Sequence, residues 1–254
     1  MTDTVLVTDL ETGVRLVTID RPARLNALDG ATLAALHDAI ATATDTTRVI
    51  VIRGTGRAFC AGNDLKWLAS GVLDDLAAHM RHQDLMQRTW EMIGAAPQVV
   101  IASVNGLALA GGFELALACD IIVADAAAEM GDEHLRKNLL PSGGSTQRLP
   151  RKIGQARAMY YLLTGRRMTG AEAERIGLAA LAVPGDRLEE ETLALATEIA
   201  RTDRHALAAM KATVRRGLEL PLSEGLGLER WMQYRYRNDS PALVAAVKGF
   251  AGKG

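Results

Sequence analysis

The sequence predicts an α/β chain in which strands alternate with helices and the last third is helical. Three observations carry that expectation. Val49 to Ile52, Val99 to Val104 and Ile121 to Ala124 are short apolar runs of the kind found in strands covered on both faces of a sheet. Longer stretches with helical spacing of apolar residues lie between them. From Ile153 onward the chain reads almost entirely as helix, with Leu207, Met210, Val214 and Leu218 on one face and Leu188, Leu195 and Ile199 on another. No linker, repeat or low-complexity tract interrupts the chain. Its 254 residues therefore suit one domain, or one domain with a short appendage, and suffice to bury a real core.

Taken in order, Val5 to Thr8 and Val14 to Ile19 flank the turn Asp9-Leu-Glu-Thr-Gly13 and predict a hairpin. Arg21-Pro22 ends the second strand. Asp29 is placed to cap a helix carrying Leu33, Leu36 and Ile40 on one face. After the strand at Val49 comes Gly54-Thr-Gly56-Arg-Ala-Phe59. It has two glycines of a dinucleotide fingerprint, but Phe59 fills the third place and a second loop follows, which excludes a Rossmann site. A helix is expected from about Asp74 to Ile93, with Leu76, Met80, Leu85 and Met92 among its apolar positions. Such a Met-bearing segment either packs a core or lines an adaptable pocket.

The stretch Asn105-Gly-Leu-Ala-Leu-Ala-Gly111-Gly-Phe-Glu114 hands a strand and turn over to a helix N-terminus. Free backbone N–H groups and the helix dipole favour negative charge there, and glycine lets another molecule approach the main chain. Glu114 lies one helical turn inside. The ten residues alone fit equally a tight turn with a solvated glutamate. Pro141 to Leu149 is a loop running into helix. Ser142 and Ser145 within it lack the flanking glycines of a nucleophile elbow.

The net charge of -1 argues against nucleic acid as a partner, as does an aromatic content of 4%, too low for a base-stacking surface. No apolar stretch approaches membrane-spanning length, and Met-Thr-Asp-Thr does not resemble a secretory leader. Cys60 and Cys119 make neither a disulfide framework nor a metal cluster, so no metal site is expected and a cytoplasmic location fits.

Five motifs resemble the enoyl-CoA hydratase/isomerase, or crotonase, superfamily. They are Arg-Pro-x-x-x-Asn-Ala-Leu (21–28), Ala-Phe-Cys-Ala-Gly-Asn-Asp-Leu (58–65) and Asn-Gly-x-Ala-x-x-Gly-Gly-Phe-Glu-Leu-Ala-Leu-Ala-Cys-Asp (105–120), followed by Pro-x-x-Gly-x-Thr-Gln-Arg-Leu (141–149) and Leu-Thr-Gly-Arg…Ala-Glu…Gly-Leu (163–178). They occur in order and span nearly the whole chain. The resemblance implies a spiral of ββα units over residues 1–195 and a helical trimerisation region over 196–254. It implies a homotrimer or dimer of trimers acting on an acyl-CoA thioester, with coenzyme A as part of the substrate and no separate cofactor. The fold hosts many reactions, so the motifs indicate superfamily more sharply than chemistry.

The resemblance places an oxyanion hole on the backbone N–H groups of Ala61 and Gly111, and two proton-transfer positions on Glu114 and His134. Two fixed donors would stabilise the enolate oxygen more than the ground-state carbonyl. Family hydratases carry glutamate at the second position. Histidine there still titrates near the value wanted for acid–base work, about 6.5. Glu133 is expected to face away if the stretch is extended. Arg24, Leu25, Gly62, Asn63, Asp64 and Lys66 are the substrate-side positions, with Asp64 also suited to bonding its own loop. The leading expectation is hydration and dehydration of an enoyl-CoA, with Glu114 as base. Double-bond isomerisation, racemisation through dehydration, and a non-catalytic acyl-CoA binder are the alternatives; turnover that depends on Glu114 separates the enzymatic readings from the binder.

Overall fold

The computed structural model describes residues 3–251. The N-terminal hairpin is β1 (Val5–Asp9) and β2 (Val14–Ile19), paired antiparallel with Val5 opposite Ile19. Helix α1 (Gly30–Ala41) follows, and its cap is Asp29, whose carboxylate accepts the Thr32 N–H. Next come β3 (Val49–Gly54), β4 (Ala58–Cys60), the single turn α2 (Leu65–Trp67) and the long α3 (Leu76–Ala95). The pattern then repeats as β5 (Val99–Val104), β6 (Leu107–Leu109) and α4 (Gly111–Ala118), and again as β7 (Ile121–Asp125) and β8 (Glu129–Gly131). Helices α5 (Ser145–Ile153) and α6 (Gln155–Thr164), strand β9 (Met168–Thr169), α7 (Gly170–Arg175) and β10 (Leu181–Val183) complete the core with α8 (Leu188–Ala200). Helices α9 (Arg204–Gly217), α10 (Leu222–Asp239) and α11 (Ala242–Ala251) form the tail.

The repeat is a spiral. β3, β5 and β7 lie side by side and parallel in a six-stranded sheet ordered β1-β2-β3-β5-β7-β10, while β4, β6 and β8 form a second sheet ordered β4-β6-β8-β9. Each turn of chain thus adds one strand to each sheet. One core lies between the sheets and helices and includes Phe59, Trp90, Phe113 and Leu115. A second, of Val14, Val49, Val51, Ile101 and Val123, is covered by Leu188, Ala196 and Ala200 of α8. Covering both faces is what the apolar strand runs require.

Two sequence expectations need correction. Helix α8 runs unbroken through residue 195 and still packs on the sheet at Ala200, so the core ends there and the tail starts at Asp203. On α3, Leu85 and Met92 pack against the core as expected of them, but Leu76 and Met80 are exposed; the fully buried face is His82, Met86, Thr89, Trp90 and Ile93. Hydropathy misses this face because two of its members are polar residues that find partners inside. His82 bonds Asn63 and Thr89 bonds His37.

Candidate active site

The N-terminus of α4 is seated by glycine. A side chain on Gly112 would overlap the Cys60 carbonyl, so only glycine lets α4 lie this close to β4. The same closeness brings together the loop after β4 and the first turn of α4. A Cβ on Gly62, itself at φ +84°, would stand 2.7 Å from the Gly111 nitrogen. The next nitrogen along, that of Asn63, is 3.7 Å from where a Gly111 Cβ would be.

This corrects one donor of the expected pair. The Ala61 N–H is taken by the Leu25 carbonyl at 3.0 Å and cannot serve a substrate. Gly62 and Asp64 bridge to Leu28, through Leu28 N–H to Gly62 O at 2.8 Å and Asp64 N–H to Leu28 O at 2.9 Å. Because the C=O and N–H of one peptide point opposite ways, the Gly62 O bond turns the Asn63 N–H away from Leu28, with its nitrogen on the Gly111 side. Among the described residues neither the Asn63 nor the Gly111 N–H has a backbone acceptor. Asn63 and Gly111 are therefore the available donors, and Gly111 adds the positive end of α4.

Glu114, one turn into α4, is wholly buried. Its Oε1 accepts N–H bonds from Gly143 at 2.8 Å and Ser145 at 3.1 Å, where the Pro141 loop enters α5. Oε2 has no partner among the described residues. Burial pushes the Glu114 carboxyl above the ordinary carboxylate value, and the two N–H bonds with the charge of His134 only partly offset it. The loop is pinned in turn by Arg148, which donates to the Gly143 carbonyl. Glycine at 143 leaves the Glu114 carboxylate its place, because a Cβ there would lie 2.5 Å from Glu114 Oε2 and 2.7 Å from Trp90 Nε1.

His134 opens a short turn after β8, and sequence reasoning missed its partner. Asp132, only 2% exposed, places Oδ1 2.9 Å from His134 Nδ1. Burial acts to lower the His134 pKa, but the bond and charge of Asp132 and the charge of Glu114 outweigh it, and the imidazole titrates above its usual value. Asp132 is conversely held below the usual carboxylate range by His134, against the upward push of burial. Glu133 points away as expected, but not because the chain is extended. Its φ is +53°, and its carboxylate pairs with Arg167 at 2.8 Å and Arg136 at 3.1 Å. An Asp two residues before the His was the one visible signal for the pair.

The remaining positions divide. Asp64 caps α2 through the Lys66 and Trp67 N–H groups and pairs with Arg21 at 3.2 Å, so its role is to hold the loop. Leu25 contributes its carbonyl to Ala61. Arg24 and Lys66 are exposed at the loop surface, where their cations remain open to an anionic ligand. Cys60 and Cys119 are buried free thiols, each pushed up to about 12 chiefly by burial, so neither is an activated nucleophile.

The family model described as enoyl-CoA hydratase/isomerase matches residues 9–253. A Rhizobium meliloti (strain 1021) protein named "Probable enoyl-CoA hydratase" is 41% identical over 228 residues, covering 89% of this chain and 86% of that protein. The 2,3-dehydroadipyl-CoA hydratase of Escherichia coli (strain K12) is 39% identical over 227 residues, covering 89% and 87%. Among solved structures, an enoyl-CoA hydratase from Bacillus anthracis superposes with a TM-score of 0.93 at 33% identity, over 99% of this chain and 97% of that one.

Proposed function

Because the chain belongs to the enoyl-CoA hydratase/isomerase family, we propose that it catalyses reversible addition of water across the double bond of a 2-enoyl-CoA. It is an enzyme of that family, working on an acyl-CoA thioester through an oxyanion-stabilised enolate. The thioester oxygen sits between the Asn63 and Gly111 N–H groups. Charge develops there as water adds to the β-carbon, and each donor is worth about 3–4 kcal/mol of barrier.

The observation that carries hydration is the pairing of Glu114 with an Asp132–His134 couple. Glu114 Oε2 has a free lone pair and takes the proton of the attacking water. His134 Nδ1 is committed to Asp132, so the ring delivers its proton to the α-carbon from Nε2 as an imidazolium. Asp132, His134 and Glu114 then total one negative charge, the same as a glutamate and a glutamic acid. An isomerase would need one well-placed base; a second group whose proton affinity is raised by a dedicated carboxylate favours two-proton chemistry. The chemistry so drawn uses no cofactor beyond the substrate's coenzyme A, and Arg24 and Lys66 offer cations to its phosphates.

We place the enzyme in the cytoplasm, in keeping with its buried free thiols and with a chain in which no described helix is long and apolar enough to cross a membrane. We assign it a homotrimer or dimer of trimers. Met210 and Val214 of α9, with Leu218 just past its end, are exposed and line a groove of about 1040 Å³ against α3 and α5. A second copy of the chain is the natural cover for such a face.

The test is the decay of conjugated enoyl-thioester absorbance with crotonyl-CoA. Wild-type protein should give hydroxyacyl-CoA, with Glu114→Gln and His134→Ala both crippled. Loss abolished only by Glu114→Gln would remove His134 from the chemistry. Tight binding without turnover would favour a silent acyl-CoA binder.

A further inference from the structure

The face that α3 turns inward runs along the whole site. His82 meets Asn63, Met86 lies 3.6 Å from where a Gly111 Cβ would be, and Trp90 stands beside Gly143 and Glu114. The residues are spaced by four, so one helical stripe borders both oxyanion residues and the base. His82 is the anomaly in that stripe, a polar ring only 5% exposed on an otherwise apolar surface. We infer that His82 is a positioning residue of the oxyanion hole, setting the place of the Asn63 N–H through a hydrogen bond to the Asn63 side chain. The assignment rests on Asn63 and Gly111 being the donors.

The geometry supports it in three steps. His82 Nε2 lies 2.9 Å from Asn63 Oδ1. That oxygen only accepts, so Nε2 carries the proton and the neutral ring has none on Nδ1. Nδ1 is buried without a partner among the described residues, and an imidazolium there would hold an unsatisfied N–H. Burial accordingly holds the ring below its usual pKa, with His79 adding in the same sense and Asp29 opposing. His82 is a fixed neutral donor rather than a proton carrier.

The anchor is needed because of what precedes it. The Asn63 N–H belongs to the peptide plane that begins at Gly62, a glycine at φ +84°. Glycine gives that plane rotational freedom that a side chain would restrict. The Leu28 bridge fixes its orientation from one side. His82, itself packed on Trp67 with ring centroids 4.7 Å apart, is the hold from α3, whose Met86 also lies near Gly111. Together they set the spacing between two donors that must meet one oxygen. A donor displaced by a fraction of an ångström still binds the ground state, but stabilises the enolate less.

The test pairs His82→Phe, which keeps a ring against Trp67 and removes the donor, with His82→Gln, which restores one. Turnover of crotonyl-CoA is read beside the equilibrium absorbance of bound dimethylaminocinnamoyl-CoA, whose red shift reports polarisation of the thioester carbonyl. His82→Phe should lower kcat about tenfold with KM changed less than about threefold, and should shrink the red shift. His82→Gln should recover most of both. Asn63→Ala keeps the N–H and removes the acceptor, so it should reproduce the defect, and the double variant His82→Phe/Asn63→Ala should be no worse than either single one. A full red shift and full kcat in His82→Phe overturns the role of His82 alone. A wild-type protein that binds the probe without any red shift overturns the oxyanion assignment beneath it.

Discussion

Asp132 and His134, two residues apart, face one another across 2.9 Å because Glu133 between them adopts φ +53° and folds the chain back. The carboxylate both orients the ring and holds its proton. Asp132→Asn separates the two effects, since the amide oxygen still accepts from Nδ1 while the charge is lost. His134 titrates above its usual value with Asp132 present. Removing the charge lowers it and leaves burial pulling the same way, so the alkaline limb of the kcat/KM profile should move to lower pH, and kcat should fall by on the order of 10- to 100-fold. A pH–rate series on both proteins checks this; an unmoved alkaline limb would assign that limb to some other group.

The wild-type profile follows from the same pair. Glu114 is raised by burial and must be ionised to accept the water proton, so activity is lost as pH falls through a value above the ordinary carboxylate pKa of about 4.3. His134, also raised, must be protonated to give its proton, so activity is lost as pH rises through a value above about 6.5. The expected bell has both limbs displaced upward, and they belong to the coupled pair rather than to either residue. Rates with crotonyl-CoA across the range measure it.

Gly143→Ala should disable the base while sparing the fold. Its Cβ would meet Glu114 Oε2 at 2.5 Å and Trp90 Nε1 at 2.7 Å, and the carboxylate is the part free to move. Displacing it by about 1 Å should cost about 10²-fold in kcat. Thioester binding, measured by the probe's red shift, should persist because Asn63 and Gly111 are untouched. Loss of the red shift together with activity would mean that the whole loop had moved.

The architecture was legible because it is written in local chemistry. Apolar strand runs, the Asp29 cap and the turn at Gly13 each specify their element without long-range information. The place of Gly111 and Glu114 at the head of α4 was equally legible from motif and position. Asn63 was not, because which N–H is free depends on what Leu25 and Leu28 bond, and those partners lie more than thirty residues away in the chain. His82 was hidden for the opposite reason. Periodicity searches weigh apolar residues, and a buried histidine is justified only by a partner from another element. Asp132 lay in plain sight, but strand alternation, broken by the left-handed turn at Glu133, gave the wrong reason for which neighbour faces inward.

The exposed apolar face of α9 carries the prediction about assembly. Met210, Val214 and Leu218 recur at four-residue spacing, and none is covered by the chain's own core. Leu218, 84% exposed, tolerates a charge within the monomer. Leu218→Glu should leave the circular dichroism spectrum intact and reduce the molar mass by light scattering to that of a single chain. A variant that keeps the wild-type mass would remove α9 from the subunit contact.

Two glycines of ordinary φ should respond to alanine with opposite signs. Gly112→Ala would drive a methyl into the Cys60 backbone, which cannot yield without parting α4 from β4, so a loss of about 3 kcal/mol is expected. That parting also separates the Gly111 donor from the Asn63 loop that follows β4, so activity should fall further than the unfolded fraction explains. Gly227, inside α10, has no atom of the chain within 4 Å of an added Cβ. There alanine only restricts the unfolded chain and suits the helix, so a gain of about 0.5–1 kcal/mol is expected. Urea midpoints at equal m-value measure both. Equal destabilisation by the two would mean that general helix disturbance, rather than the contact with Cys60, sets the cost at Gly112.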